Sequence, residues 1–477
     1  MERKWWTLVA VVTGVFMLLL DITIVNVALP DIQSALGASL ADLQWVIDAY
    51  ALTLAALLLT AGSLADMYGR RLLFAIGIVI FSLGSLLCGL SPSPLFLTLA
   101  RAFQGIGGAV MFSTSLALLT NAFRGPDRGV AFAVFGAVTG IAVAVGPVLG
   151  GVITSGLSWR WIFLVNVPVG AVALALTLAK VDESRSPQAR RPDWIGLVSF
   201  SVALAGLVFG LIRSNEIGWG SGQVIGSLVV AVVLLGVFVV AELRQRTPML
   251  DLSLLRKPTF VGGLIAAFAI SASLFSAFPY LVLYMQGLLH LSASETGVRF
   301  LVLSGPIFLT AALAGRLVDR VPVSLLIGPG FALIAVSLLL MRGLAVGDDW
   351  THLIPGFVVA GVGAGLVNVP LASTAVGVVE PARAGMASGI NSTLRQVGIA
   401  TGVAALGAVF ASHVGGAATG ASAGAAAAGV AQGFVDGLNT VLLIAAILAF
   451  VATITSLTLI RRRDFVAAHA EPEPARA

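Results

Sequence analysis

The chain has 477 residues, of which 58% are apolar, only 10% are charged and 54 are glycine. A soluble domain carries about 25% charged and roughly 45–50% apolar residues, so this chain has too little polar material to face water all round. It is expected to be an all-α polytopic membrane protein. The net charge of +5 comes from 27 Lys and Arg against 22 Asp and Glu. These basic residues lie scattered between apolar runs and form no patch of the kind that binds nucleic acid.

Cys88 is the only cysteine, which excludes an internal disulfide and any cysteine-based metal site. His290, His352, His413 and His469 fall beside loops or in the tail and supply no zinc ligand set. No metal, cofactor or nucleic-acid partner is expected.

The N-terminal run could be mistaken for a secretory signal. It is too long, carries Asp21 and ends at Pro30 without a small-residue cleavage site, so it reads as a retained first span. Cutting the chain where charges, proline or polar clusters interrupt apolar runs predicts fourteen helices. Their limits are 6–28, 45–64, 72–91, 95–120, 129–154, 161–179, 194–212, 223–241, 259–285, 297–315, 323–341, 353–376, 384–411 and 437–460. The Ala/Gly-rich stretch 412–436 reads either as a helix extension or as an outer loop.

With the N-terminus inside, inner segments hold 21 of the 27 Lys and Arg and outer segments hold 4, while Arg101 and Arg395 fall within spans. That asymmetry is what positive-inside insertion requires, so both termini are expected in the cytoplasm and the protein in the cell membrane. An internal repeat is also present. Gly62-Ser-Leu-Ala-Asp66 after helix two returns as Gly315-Arg-Leu-Val-Asp319 after helix ten, and Gly105-Ile-Gly-Gly108 returns as Gly361-Val-Gly-Ala364. The nearly equal offsets predict an N-terminal six-helix bundle (1–180), a connector with two additional helices (181–258), a C-terminal six-helix bundle (259–463) and a disordered tail (464–477). Duplicated halves around a midplane site are the architecture of secondary transporters.

These residues carry a resemblance. The chain resembles the major facilitator superfamily, and within it the fourteen-helix branch of drug:proton antiporters. Helix one ends Leu20-Asp21-Ile-Thr-Ile-Val-Asn26-Val-Ala-Leu-Pro30, similar to the first-helix motif of that branch. The loop after helix two, Gly62-Ser-Leu-Ala-Asp66-Met-Tyr-Gly69-Arg70-Arg71, is similar to the superfamily's cytoplasmic loop. Arg101-Ala-Phe-Gln104-Gly105, Gly140 with Gly146-Pro147-Val-Leu-Gly150-Gly151, the run Ser158–Gly170 containing Asn166, and Asn391-Ser-Thr-Leu-Arg395-Gln396 complete the set. The resemblance implies two six-helix bundles with two helices inserted between them, and proton coupling through Asp21. For some members that export cations it implies an acid near Asp48, and for the helix-five motif a role in limiting proton leak.

The residues support part of this independently. An ionisable side chain within hydrocarbon costs roughly 2.5–3.5 kcal/mol on insertion scales and is functional by default. Asp21 and Arg101 lie about 10 Å and 9 Å from the outer ends of their predicted helices, so they are placed to meet. Asp48, about one turn from its predicted helix end, is either a wet terminus or a second coupling acid. Arg395, near mid-bilayer, either binds an anionic or carbonyl group in the cavity or ties to Asn391 one turn away. Asn26, Tyr50, Gln104, Asn391 and Arg395 are the candidates for the substrate cavity, with Phe275, Phe278, Tyr280, Tyr284 and Met285 as further possible lining. Gly62, Asp66, Gly69, Arg70 and Arg71 read as a gate, because anchoring alone explains the arginines but not the glycines or the aspartate. Small residues at Gly140, Gly146, Gly150 and Gly151 allow close helix approach, and Pro147 removes a backbone hydrogen bond.

The expected function is proton-coupled efflux of a small amphipathic or hydrophobic compound, such as an antibiotic, dye or organic cation, by a monomer that needs only protons and the lipid bilayer. The alternative is an uncoupled or proton-coupled transporter of an endogenous metabolite or lipid. A sugar importer should show more hydrogen-bonding aromatic residues than the four tyrosines here. No Gly-x-x-x-x-Gly-Lys-Ser/Thr run is present for ATP, and no nucleophile with a base or metal set lies in the spans, so the chain is not expected to be an enzyme.

Overall fold

The computed structural model describes residues 2–123, 126–185, 193–245, 252–318, 320–379, 384–416 and 423–465. Among them the regular structure is helical, since a backbone in lipid must satisfy its own hydrogen bonds. The first half comprises α1 (Arg3–Leu36), α2 (Leu40–Tyr68), α3 (Arg70–Gly89), α4 (Pro94–Ala122), α5 (Pro126–Gly156), α6 (Trp161–Leu164) and α7 (Asn166–Lys180). Two helices follow, α8 (Trp194–Ile217) and α9 (Gly222–Arg244). The second half comprises α10 (Pro258–Ile270), α11 (Ser276–Leu283), α12 (Ala293–Arg299), α13 (Leu301–Leu317), α14 (Ser324–Leu340), α15 (Ile354–Gly377), α16 (Ala384–Gly416) and α17 (Ala423–Leu459). Twelve helical stretches among the described residues are long and apolar enough to cross a membrane, and the apolar stretches Val145–Gly156 of α5 and Ser324–Leu340 join them.

Several ends differ from the sequence expectation, each for a local reason. Helix one passes through Pro30 and stops only where Gly37 takes a left-handed φ of 61°. Helix two begins earlier, at a capping box in which Ser39 and Asp42 satisfy each other's backbone. It also runs through Gly62 and Asp66 to Tyr68, so the expected loop is helical up to Gly69. The ninth predicted helix is continuous to Leu288 but contains two π-helical segments, Ser271–Phe275 and Tyr284–Leu288. Pro279 cannot donate within it, and the Ser276 hydroxyl donates to the Ser271 carbonyl at 2.8 Å. The tenth starts at a second capping box, Ser292 with Glu295, and is broken at Phe300. The stretch 412–436 is helical from both sides, α16 reaching Gly416 and α17 starting at Ala423. The tail from 466, the connector stretches 186–192 and 246–251, and Asp319 of the repeat lie outside the described residues. So do Arg124, Arg190, Arg191, Arg246, Arg383 and Arg476 of the charge pattern.

The sequence repeat has a packing counterpart. A Cβ on Gly107 of α4 would meet the Gly77 carbonyl of α3 at 2.7 Å, and one on Gly363 of α15 would meet the Gly330 carbonyl of α14 at 2.6 Å. Both halves therefore use a glycine at the same repeat position to bring two backbones together. Thr259 at the start of α10 donates to the carbonyl of Leu459 at the end of α17. Gln286, at the far end of the α10–α11 stretch, donates to Val27 of α1 at 2.8 Å. Arg3 and Leu459 consequently share one face of the helical layer, here the terminal face, and Val27 and Gln286 lie toward the opposite face.

Candidate functional site

Helix α1 carries Asp21 at its middle, fully buried. Because α1 extends to Leu36, this acid lies about 22 Å from the helix end by the 1.5 Å rise, twice the depth expected from the sequence. Arg101 and Gln104 project from one face of α4, three residues apart, and α3 supplies Ser85. A Cβ on Gly84 would lie 2.7 Å from the Gln104 Cα, so glycine there is what lets α3 and α4 close on the site. Asn166 enters at the start of α7, just after the break at Val165.

These side chains form one closed hydrogen-bond network. Arg101 Nη1 donates to Asp21 Oδ2 at 2.5 Å and to Gln104 Oε1 at 2.6 Å. Gln104 Nε2 donates to Asp21 Oδ1 at 2.9 Å and to Ser85 Oγ at 2.7 Å. Asn166 Nδ2 donates to Asp21 Oδ1 at 3.1 Å and to Ser85 Oγ at 3.3 Å. Arg101 Nε reaches the Val46 carbonyl at 3.2 Å, and the guanidinium carbon lies 4.1 Å from the centre of the Tyr50 ring and 5.7 Å from that of Phe163. Asp21 and Arg101 are 0% and 2% exposed as side chains. A pair so desolvated is held by its added hydrogen bonds, because Coulomb attraction alone does not reliably offset removal from water.

Asp48 differs in kind. It too is fully buried, yet neither carboxyl oxygen has a hydrogen-bond partner. The reading of this residue as a wet helix end is therefore incorrect: α2 starts at Leu40, eight residues before it, and burial follows. One turn earlier Gln44 Nε2 donates to Tyr280 Oη at 3.2 Å, and Tyr280 donates to the Val403 carbonyl at 2.8 Å. The two halves meet at this level.

The remaining candidates separate into groups. Gln104 and Tyr50, expected along the cavity, belong to the Asp21 network, and the Tyr50 hydroxyl is buried without a partner. Asn26 lines a small cavity of about 80 Å³ between the halves, together with Thr23, Pro147, Phe275, Phe278 and Ser304. Pockets for drug-sized ligands run from about 300 to 1,000 Å³, so this space is smaller than such a ligand needs. A shallow hollow of about 890 Å³ beside Arg342, His413 and Asp436 contains none of the expected site residues. Arg395 does not tie to Asn391; its Nη2 donates to Asn368 Oδ1 of α15 at 2.7 Å.

Beyond the cavity the halves interlock at the opposite face. Ser294 donates from its backbone to Ser155 Oγ at 3.0 Å and from its hydroxyl to the Gly151 carbonyl at 2.9 Å. Gly151 lies against the Ala293 carbonyl and Gly297 against the Pro147 carbonyl, each too closely for a Cβ. Gly146 is pressed on the Thr23 side chain and Gly150 on Ile24, and Gly140 lies further down α5. At the terminal face Asp66 pairs with Arg70 of its own segment at 2.8 Å. The amides of Arg71 and Leu72 donate to the Glu183 carboxylate at 3.0 Å and 3.1 Å. Gly69 adopts φ +124°, and a Cβ there would lie 2.7 Å from that carboxylate. Arg71 Nη1 reaches the Val181 carbonyl at 3.2 Å, and Gly62 has only Ser113 within 4 Å of a Cβ.

Sequence reasoning missed Ser85, Gln44, Glu183 and Asn368, and it read Asn166 only as part of a motif. Small polar residues in spans are common enough to give no signal alone. Glu183 could have been found as the acid nearest the two arginines after α7.

Comparison with known proteins gives the family. The model of the Major Facilitator Superfamily matches residues 11–403. The chain is 38% identical over 410 residues to the multidrug resistance protein Stp of Mycobacterium tuberculosis, covering 85% of this chain and 76% of that one. It is 38% identical over 415 residues to the puromycin resistance protein pur8 of Streptomyces alboniger, covering 85% and 82%. In fold it is similar to the human organic anion transporter MFSD10, with a TM-score of 0.62 at 16% identity, covering 96% of this chain and 100% of that one. A family match across most of the chain, relatives of this identity and the shared helical fold lead to one conclusion: the chain belongs to the Major Facilitator Superfamily and is a multi-pass membrane transporter, not an enzyme.

Proposed function

We propose that the protein exports small amphipathic or hydrophobic compounds across the cell membrane in exchange for protons, by alternating access between the two halves. The observation that carries this reading is the buried pair of Asp21 and Arg101, closed by Gln104 and Asn166. Protonation of Asp21 would remove its charge and weaken its hold on Arg101, and a charge-dependent contact at the centre of the first half is the element a proton gradient can bias. The resistance proteins among the relatives support outward transport of such compounds. In this reading the terminal face is cytoplasmic, as the distribution of arginine and lysine suggests. The interlock of α5 with α12 then closes the outer side, and the conformation is the one that loads cargo from within.

Residues 1–180 and 259–463 act as the two moving bundles, with 181–258 as the inserted connector and a single chain as the working unit. The segment Gly62–Arg71 serves as the inner gate. Its Asp66 and Arg70 pair with each other here, and both become available to the other half when the inner side closes. The decisive experiment is flux in everted vesicles: Asp21→Asn is expected to abolish substrate-driven proton release while the protein stays folded in the membrane. Normal coupled transport by that variant would sink the assignment.

A further inference from the structure

Arg395 is the one cation deep inside the described part of the second half that the coupling network does not use. None of the ion pairs among the described residues includes it. Its single hydrogen bond, to Asn368 Oδ1, commits one of the five N–H donors that a guanidinium carries. Asn368 is itself held in place by donating to the Ala364 carbonyl at 2.9 Å. One turn before Arg395 on the same helix, Asn391 is only 6% exposed and its Nδ2 has no acceptor. Residues four apart share a helix face, so α16 presents a buried unmet donor beside a half-buried cation with spare donors.

The acids within the spans do not meet this demand. Asp21 is taken by Arg101. Asp48 belongs to the level where Gln44 approaches Gly407, twelve residues from Arg395 along α16. Allowing for the turn between Gln44 and Asp48, that leaves about 12 Å at the helical rise. An intramembrane arginine without a carboxylate faces water or a partner that comes and goes.

One turn in the other direction, Ile399 and then Val403 line the cavity between the halves, facing Phe275, Phe278 and Phe300. We propose that Arg395, oriented by Asn368 and assisted by Asn391, is a cargo subsite for an ionised acid, and that the apolar, aromatic body of the cargo lies along Ile399 and Val403 against those phenylalanines. The preferred cargo is therefore an aromatic compound with a carboxylate or acidic phenolate and not an organic cation. This rests on the export reading only in calling the ligand cargo. The guanidinium offers paired donors to an oxyanion, and among the described residues lining the cavity there is no carboxylate to receive an ammonium group.

The test uses the purified full-length protein in lipid nanodiscs without a proton gradient, and two fluorescent probes of equal shape and opposite charge, 9-anthracenecarboxylate and 9-(aminomethyl)anthracene as its ammonium form. Fluorescence anisotropy is expected to show at least about tenfold tighter binding of the carboxylate. Arg395→Gln should abolish that preference by weakening carboxylate binding at least about tenfold, and Arg395→Lys should restore part of it. Equal or tighter binding of the ammonium probe by the unmodified protein overturns the proposal whatever the variants do, as does an Arg395→Gln protein that keeps the preference. Vesicle flux with Asp21→Asn separates the two readings, because it reports coupling and leaves the charge preference measured here untouched.

Discussion

Asp21 and Arg101, eighty positions apart in the chain, form an ion pair of 2.5 Å from which water is excluded on both sides. Removing one member of such a pair leaves the other as an uncompensated buried charge, at a cost of about 3–5 kcal/mol. Arg101→Met is expected to lower the thermal unfolding temperature in detergent strongly, and Asp21→Asn combined with Arg101→Met to recover most of it. A double variant no more stable than Arg101→Met alone would show that the pair contributes little.

Asp48 makes the opposite prediction. Its two carboxyl oxygens have no partner, and an unsatisfied buried polar group costs about 1–3 kcal/mol. Asp48→Leu should therefore unfold at a higher temperature than the unmodified protein while transporting more slowly. Stability gained with full activity would remove Asp48 from the coupling machinery; stability lost would mean that its carboxyl has a partner after all.

Gly69 holds φ +124° with the Glu183 carboxylate against it. Gly69→Ala meets both backbone strain and a clash, so export in whole cells is expected to fall at least about tenfold, with about 1–3 kcal/mol of strain behind it. Glu183→Gln keeps the shape but weakens the hydrogen bonds to the Arg71 and Leu72 amides, and should cost about 0.5–2 kcal/mol, the range for a helix N-cap. Denaturant unfolding of both variants checks the order of the two effects.

At the opposite face, Gly151→Ala puts a methyl group onto the Ala293 carbonyl, and Gly297→Ala puts one onto the Pro147 carbonyl. Both should disfavour the state in which that face is shut. Asn26→Cys, on the wall of the cavity between the halves, reports this by its rate of reaction with a membrane-impermeant maleimide added from that side. The native Cys88 is buried and serves as its own control. Labelling at least about fivefold faster in the alanine variants, the response to about 1 kcal/mol, is expected; an unchanged rate would mean that the glycines do not govern closure.

The charged centre was legible in the sequence because charges in spans are few and each one demands a reason. Asp21 and Arg101 were placed to meet by depth, although the depths of Asp21 and Asp48 were underestimated where helix ends had been set by Pro30 and by the start of the apolar run. Those ends were hidden for physical reasons: a membrane helix tolerates an internal proline, and the boxes at Ser39 and Ser292 begin a turn or more before the hydrophobicity rises. The partners Ser85, Asn166 and Asn368 were harder to find, since a serine or asparagine in a span satisfies its own helix backbone as often as it serves a site, and only the crossing of helices decides. Arg395 showed the same limit, its nearest asparagine in sequence proving less important than one 27 residues away on α15.

The inserted helix α8 touches both halves where α2 and α16 meet. Leu204, Val208 and Ile212 rest on Ala51 and Ala55 of one half and on Ala400 and Ala404 of the other. These particular contacts pack branched aliphatic chains on alanine methyl groups, and such side chains form neither hydrogen bonds nor ion pairs. Dispersion contacts of this kind are individually about 0.1–0.2 kcal/mol and exchange readily for equivalent neighbours. In the proposed alternating-access cycle the seam can travel along α8 without being torn open to lipid, which would make the added helix a bearing in place of a rivet.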